Sequence, residues 1–190
     1  YRKPQSLAPK EFLPKLLLFN RYVRTGHADE AEAMWLEIEG IDKDLSSVNR
    51  AAAARYRATA KGKLADVLKA SADLALLEDF SPQTLAFLGE AQTAMQYPRA
   101  AEESYQRILK VSTGSFSSRA KFRLVARTAL ADIHHELGDF AAQLDDGRQG
   151  EDEHRNCGVC FGDEASALVG LQRPLTEIEA VITRARASGR

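Results

Sequence analysis

The sharpest chemical feature of the 190-residue chain is the run His154-Arg155-Asn156-Cys157-Gly158-Val159-Cys160. Two thiolates three residues apart, with an imidazole three residues before them, can chelate one soft cation such as zinc from a single loop. A fourth ligand would come from His134, His135 or an acid nearby. The same Cys-x-x-Cys pair can instead close as a disulfide and respond to redox state. A third reading leaves two unlinked thiols in a loop. Metal ligation by His154, Cys157 and Cys160, with zinc as the cofactor, and redox response are therefore open alternatives. Either would make the chain a metal- or redox-responsive helical protein, or an enzyme. No other residues form a catalytic set. His134-His135-Glu136 lacks the two-histidine, one-turn spacing of a metalloprotease helix. No glycine-rich phosphate loop or nucleophile elbow is present. Asp145, Asp146, Glu151, Asp152 and Glu153 do not follow the alternating ligand order of an EF-hand.

The elements that must position these residues are helices. Alanine and leucine supply 30 and 22 residues, whereas isoleucine and valine together supply 14. That composition favours helix over strand. Two cysteines cannot build a disulfide scaffold, and no apolar run reaches the roughly 18–20 residues that span a bilayer. The formal net charge of −1 does not point to nucleic acid or an anionic membrane as partner.

Three short phrases mark recurring turns: Arg24-Thr25-Gly26-His27-Ala28, Ala60-Lys61-Gly62-Lys63-Leu64 and Glu136-Leu137-Gly138-Asp139-Phe140. Each lies between two helical apolar patterns. Glycine takes the left-handed cap conformation cheaply, so each phrase predicts a helix–turn–helix hairpin. A fourth hairpin opens at Ser81-Pro82, with serine as cap and proline in the first turn, and turns at Gln96-Tyr97-Pro98. Aligned on the turns, the units have a period of about 34 residues and cover 12–45, 48–81, 82–115 and 124–157. The predicted core is Leu17, Leu18, Ala31, Trp35, Ile38, Leu64, Leu68, Leu74, Leu77, Leu88, Ala101, Tyr105, Ile108, Leu130, Ile133, Leu137 and Phe140. Residues 145–164, rich in glycine and acid, are expected to be a long irregular loop.

Small residues at the helix crossings (Ala31, Ala101), aromatics one turn later (Trp35, Tyr105) and the pair Leu88-Gly89 make the chain resemble the tetratricopeptide repeat (TPR) and TPR-like family. Ser71 and Gly147 depart from the aromatic position. The resemblance implies an all-α fold, a right-handed α-solenoid of about four TPR-like helix hairpins with a C-terminal capping helix. Residues 1–11 would be an extended lead-in, 12–157 the repeats and 158–190 the capping helices. It also implies a protein–protein interaction scaffold that holds a peptide segment of a partner in a concave groove lined by the first helix of each pair. The groove positions carried over are Asn20 and Arg24, then Asn49, Tyr56 and Thr59, then Gln83, Glu90 and Thr93, then Thr128, Asp132 and His135. This set is polar and uncharged in its middle, and its amides suit an extended backbone.

Charge is uneven along the chain. Residues 104–127 hold Arg107, Lys110, Arg119, Lys121, Arg123 and Arg127 and no acid, and residues 128–164 hold ten acids against Arg148 and Arg155. A second basic cluster is Arg50, Arg55, Arg57, Lys61 and Lys63. Each could dock an acidic partner or RNA, or be an ordinary solvated face. The run Leu16-Leu17-Leu18-Phe19 lacks a signal-peptide cleavage site, which points to the cytoplasm. Tyr1 is not an initiator methionine, so a longer or processed product is expected.

Overall fold

A computed structural model describes residues 12–41, 46–112, 117–154 and 157–188, apart from the side chains of Arg24 and of residues 117–119. The expected lead-in at 1–11 lies outside these residues. The described residues form ten α-helices and no strand. No helix among them is long and apolar enough to cross a membrane. The chain divides into two compact units, Tyr1–Phe80 and Ser81–Arg190.

The first unit holds α1 (Phe12–Arg24), α2 (Ala28–Gly40), α3 (Ser47–Ala60) and α4 (Leu64–Leu77). Its first hairpin is built on two apolar stripes of helical period: Phe12, Leu16 and Phe19 on α1, and Ala31, Trp35 and Ile38 on α2. Ala31 leaves room for the helices to approach, and the Phe19 and Trp35 rings meet 5.4 Å apart. Leu17 and Leu18, expected in the core, are 61% and 40% exposed, because Leu16 and Phe19 occupy the inward stripe. Leu64, Leu77 and, in the second unit, Leu137 are likewise exposed. The second hairpin packs mostly through small residues: Ala53 and Ala58 of α3, and Val67, Ala70, Ser71 and Ala75 of α4 are buried, together with Leu74.

The second unit holds α5 (Pro82–Ala94), α6 (Pro98–Val111), α7 (Ser117–Glu136), α8 (Phe140–Glu153), α9 (Gly158–Gly170) and α10 (Leu175–Ser188). Ser81 caps α5, accepting a hydrogen bond from the Thr84 amide at 3.3 Å. The Leu88-Gly89 pair has a steric cause: a Cβ on Gly89 would lie 2.7 Å from the Tyr105 ring, so glycine admits the aromatic of the partner helix.

All five hairpins turn in the same way. Gly26, Gly62, Gln96, Gly138 and Gln172 take positive φ. The amide after each donates to the carbonyl five residues back: His27 to Tyr22, Lys63 to Ala58, Tyr97 to Gln92, Asp139 to His134 and Arg173 to Leu168, all within 3.0 Å. This six-to-one bond satisfies a helix-end carbonyl and fixes the entry of the next helix. At Gln96 and Gln172 a non-glycine residue bears the left-handed conformation, with Pro98 and Pro174 soon after. The capping segment is thus itself a hairpin, one repeat length beyond Gly138.

The expected irregular loop at 145–164 is instead mostly helical, as the end of α8 and the start of α9. Two features make these polar residues fold. Gly147 and Gly150 let α9 pack against the backbone of α8: a Cβ on Gly147 would lie 3.0 Å from the Glu164 amide nitrogen, and one on Gly150 would lie 2.6 Å from Cys160 Sγ. Gly147 therefore departs from the aromatic position because a helix backbone fills the space. The buried carboxylate of Asp146 is also paired. Asp146, 5% exposed, accepts from Arg127 at 2.7 Å and lies 2.9 Å from His134 Nδ1. Burial pushes its pKa up, while Arg127 and His134 pull the other way.

Candidate peptide-binding face

In the second unit the first helices of successive hairpins, α5, α7 and α9, lie side by side. A cleft of about 350 Å³ is lined by Glu90 and Thr93 of α5, Tyr105 of α6, and Asp132, Ile133 and Glu136 of α7. Its base is apolar, formed by the Tyr105 ring and Ile133, both buried. Thr93 donates to the Gly89 carbonyl at 3.0 Å, a bond that holds its hydroxyl against its own helix.

The rim is acidic. Burial, then Glu136 beside it, raises the pKa of Asp132, with His135 opposing. Burial, then Glu90, pushes the Tyr105 hydroxyl up to about 12. Further along the face, Asp163 of α9 is pushed up to about 6 by burial and by the Asp132 and Asp146 carboxylates, again opposed by His135. His135 Nδ1 lies 3.2 Å from Gln143 Oε1 and 3.4 Å from Ser166 Oγ, and its ring meets Phe140 edge-on. An imidazole thus sits among carboxylates.

The sequence-derived groove residues meet different fates. Glu90, Thr93 and Asp132 converge on the cleft. His135 is exposed beside it. Gln83 is exposed at the start of α5 but does not line the cleft. Thr128 donates back to the Leu124 and Val125 carbonyls, and so contributes little outward polarity. In the first unit Asn20 and Asn49 are half-buried. Tyr56 packs against the core around Phe19 and Trp35. Thr59 is exposed and donates to the Arg55 carbonyl. The Arg24 side chain lies outside the described residues. Glu136, Asp163 and Tyr105 were missed. The first two belong to helix positions that the repeat pattern does not assign to the groove, and Tyr105 was counted only as core. The expectation of an uncharged middle fails on these carboxylates.

Cys157 and Cys160 are joined as a disulfide. Cys157 also caps α9, its sulfur accepting from the Cys160 amide at 3.2 Å, and Cys160 is 1% exposed against Gly150. Sulfurs bonded to each other carry no thiolate charge. Among the described residues no group of three or more His, Cys, Asp or Glu is arranged to hold a metal. The ligand set expected of His154, Cys157 and Cys160 is therefore not assembled in this form, and the Cys-x-x-Cys pair takes its disulfide alternative.

No protein-family model matches the chain, and no curated protein matches it in sequence. Its fold does match solved structures. A Podosopora anserina protein described as a kinesin light chain with nearly identical TPR-like repeats superposes with a TM-score of 0.74, at 18% identity, over 94% of this chain and 95% of that one. A tetratricopeptide repeat protein from Parabacteroides merdae superposes with a TM-score of 0.64, at 16% identity, over 95% of this chain and 66% of that one. The hairpins, their shared turn and these superpositions establish that the chain has the TPR-like, all-α solenoid fold.

Proposed function

We propose that this chain is a protein–protein interaction module that holds an extended segment of a partner along the face of α5, α7 and α9, with a lysine or arginine of that segment in the cleft. The observation that carries the proposal is the convergence of Glu90, Asp132 and Glu136 around the apolar base of Tyr105 and Ile133. A long basic side chain has the matching form: an aliphatic stem for the base and a cation for the rim. A repeat fold of helix hairpins supports the reading, since such folds present extended surfaces.

The test is fluorescence anisotropy with a labelled peptide alternating lysine and leucine. Wild-type chain is expected to bind it saturably. Asp132→Asn with Glu136→Gln, both at exposed positions, should weaken binding by about tenfold, the scale of losing close charge partners at an interface. Unchanged binding in that double variant would show that the face is not the site.

A further inference from the structure

The two basic clusters of the sequence have different fates. In the second unit Arg123 donates to Glu153, and Arg127 to Asp146 and Gln149, so that part of the cluster is neutralised by α8. In the first unit the cluster opens on a cleft of about 690 Å³ between α2, α3 and α4. We propose that this cleft is a second binding site, for an acidic segment of a partner protein, separate from the α5–α7–α9 face.

Five cations line the cleft: Arg50 and Arg57 of α3, Lys61 and Lys63 of the turn around Gly62, and Lys69 of α4. Arg50 and Arg57 are two helical turns apart and share one side of α3. The hollow between them exists because α3 carries alanines there: Ala53, Ala54 and Ala58 line the cleft where longer residues would fill it. Asn49 and Tyr56 do not line it, so the cleft uses a different side of α3 from the sequence-derived groove.

The three lysines among these cations are not used up within the unit. Arg57 is held in place, its guanidinium 4.8 Å over the Trp35 ring and bonded to Glu39. Lys61, Lys63 and Lys69 are exposed and make no ion pair among the described residues. The cleft also contains Glu39, Asp66 and Asp73. Glu39 is engaged by both Arg57 and the Trp35 indole.

This mixture of signs selects the class of ligand. A nucleic-acid strand repeats a negative charge at every nucleotide and would meet Asp66 and Asp73 as well as the lysines. Its bases also gain from stacking on open aromatic faces. Trp35 lines the cleft, but it is 6% exposed and Arg57 lies over its ring. A peptide can set glutamates or aspartates against the lysines and place apolar residues between them, over the alanine floor. The volume falls in the range of ordinary ligand clefts.

The experiment uses the full chain and a fluorescein-labelled peptide alternating glutamate and leucine, followed by anisotropy. Saturable binding that weakens with added salt is expected. Combined Lys61→Gln, Lys63→Gln and Lys69→Gln should weaken it by about tenfold, whereas Asp132→Asn with Glu136→Gln should leave it unchanged. Salt competition on the wild type gives a reading that needs no substitution. The proposal is overturned if the lysine variant binds as the wild type does, if the peptide does not bind, or if single-stranded poly(U) binds as tightly through the same lysines. The lysine–leucine peptide reports on the other face, so the two proposals fail separately.

Discussion

At Glu151 one carboxyl oxygen accepts from Arg184 at 2.7 Å, and the carboxyl group also shares a hydrogen bond with that of Glu164. Burial first, then the adjoining Glu164 carboxyl, push Glu151 up to about 7 from its ordinary 4.5. Burial also opposes ionisation of Glu164, but hydrogen bonds and the cations of Arg148 and Arg184 outweigh it and hold Glu164 low. The pair therefore keeps one proton, on Glu151. In the folded chain Glu151 retains a proton that the unfolded chain releases, so folding binds protons between about 4.5 and 7. Its stabilisation is complete below that window and is lost as pH rises through it. Asp163, raised to about 6, has the same sign. Thermal midpoints are thus expected to fall between mildly acid and mildly alkaline buffer. Glu151→Gln should flatten that slope, by an amount on the order of 1–2 kcal/mol, and adding Asp163→Asn should flatten it further. An unaltered slope in the double variant would count against a proton held at either site. Gly89 presents a steric counterpart. Gly89→Ala would place its methyl 2.7 Å from the buried Tyr105 ring, and we expect a loss of about 1–3 kcal/mol from overpacking, which exceeds the gain in helix propensity of roughly 1 kcal/mol. Chemical denaturation measures it, and Tyr105→Leu in the same chain should restore part of the loss.

Helices α8 and α9 show what element-level reading of a sequence can and cannot reach. Hairpins with a glycine turn and an apolar stripe were legible, because Gly26, Gly62 and Gly138 have one conformational reason to be there. At Gln96 and Gln172 the left-handed residue carries a side chain, and there the following Pro98 and Pro174 marked the break between helices instead. The later part of α8, from residue 145, was taken for a loop because its inward side is Asp146, Gly147 and Gly150 rather than leucines. Apolar periodicity does not register a helix held by buried ion pairs and backbone-to-backbone approach. That account makes a coupled prediction. Gly150→Ala sets a methyl 2.6 Å from Cys160 Sγ, an atom fixed by its bond to Cys157. The substitution should cost roughly 2 kcal/mol despite the better helix former. In a Cys160→Ala background the obstructing sulfur is gone, and the same change should become neutral or stabilising. A double-mutant cycle by thermal unfolding reads the difference. Equal effects in both backgrounds would mean that the α8–α9 approach does not depend on this contact.

Over the whole molecule, the repeat pattern grouped residues on one face more readily than it disclosed the chemistry of that face. Glu90, Thr93 and Asp132 were assigned to the groove from the repeat pattern, and Glu136 stands one turn from Asp132 on α7, whereas Asp163 of α9 is brought near Asp132 only by the folded arrangement. The basic cluster at 50–63 was visible as a list of residues. The cleft it lines depends on alanines and on Lys69, which lies outside that run. The division into two compact units adds a last expectation. In a repeat fold, stability is close to a sum of local terms, so the units can melt at different denaturant concentrations. The chain has one tryptophan, Trp35 in the first unit, buried against Phe19. Its fluorescence reports that unit, whereas far-ultraviolet circular dichroism reports every helix. Ile38→Ala, at a position 1% exposed in the first core, should lower the fluorescence midpoint by the equivalent of about 2–5 kcal/mol and separate it from the helical signal. Leu168→Ala, equally buried in the second core, should lower the helical midpoint and leave the fluorescence midpoint in place. Should each substitution move both probes together, the chain unfolds as a single cooperative body, and the cores cannot be treated as separate sources of stability.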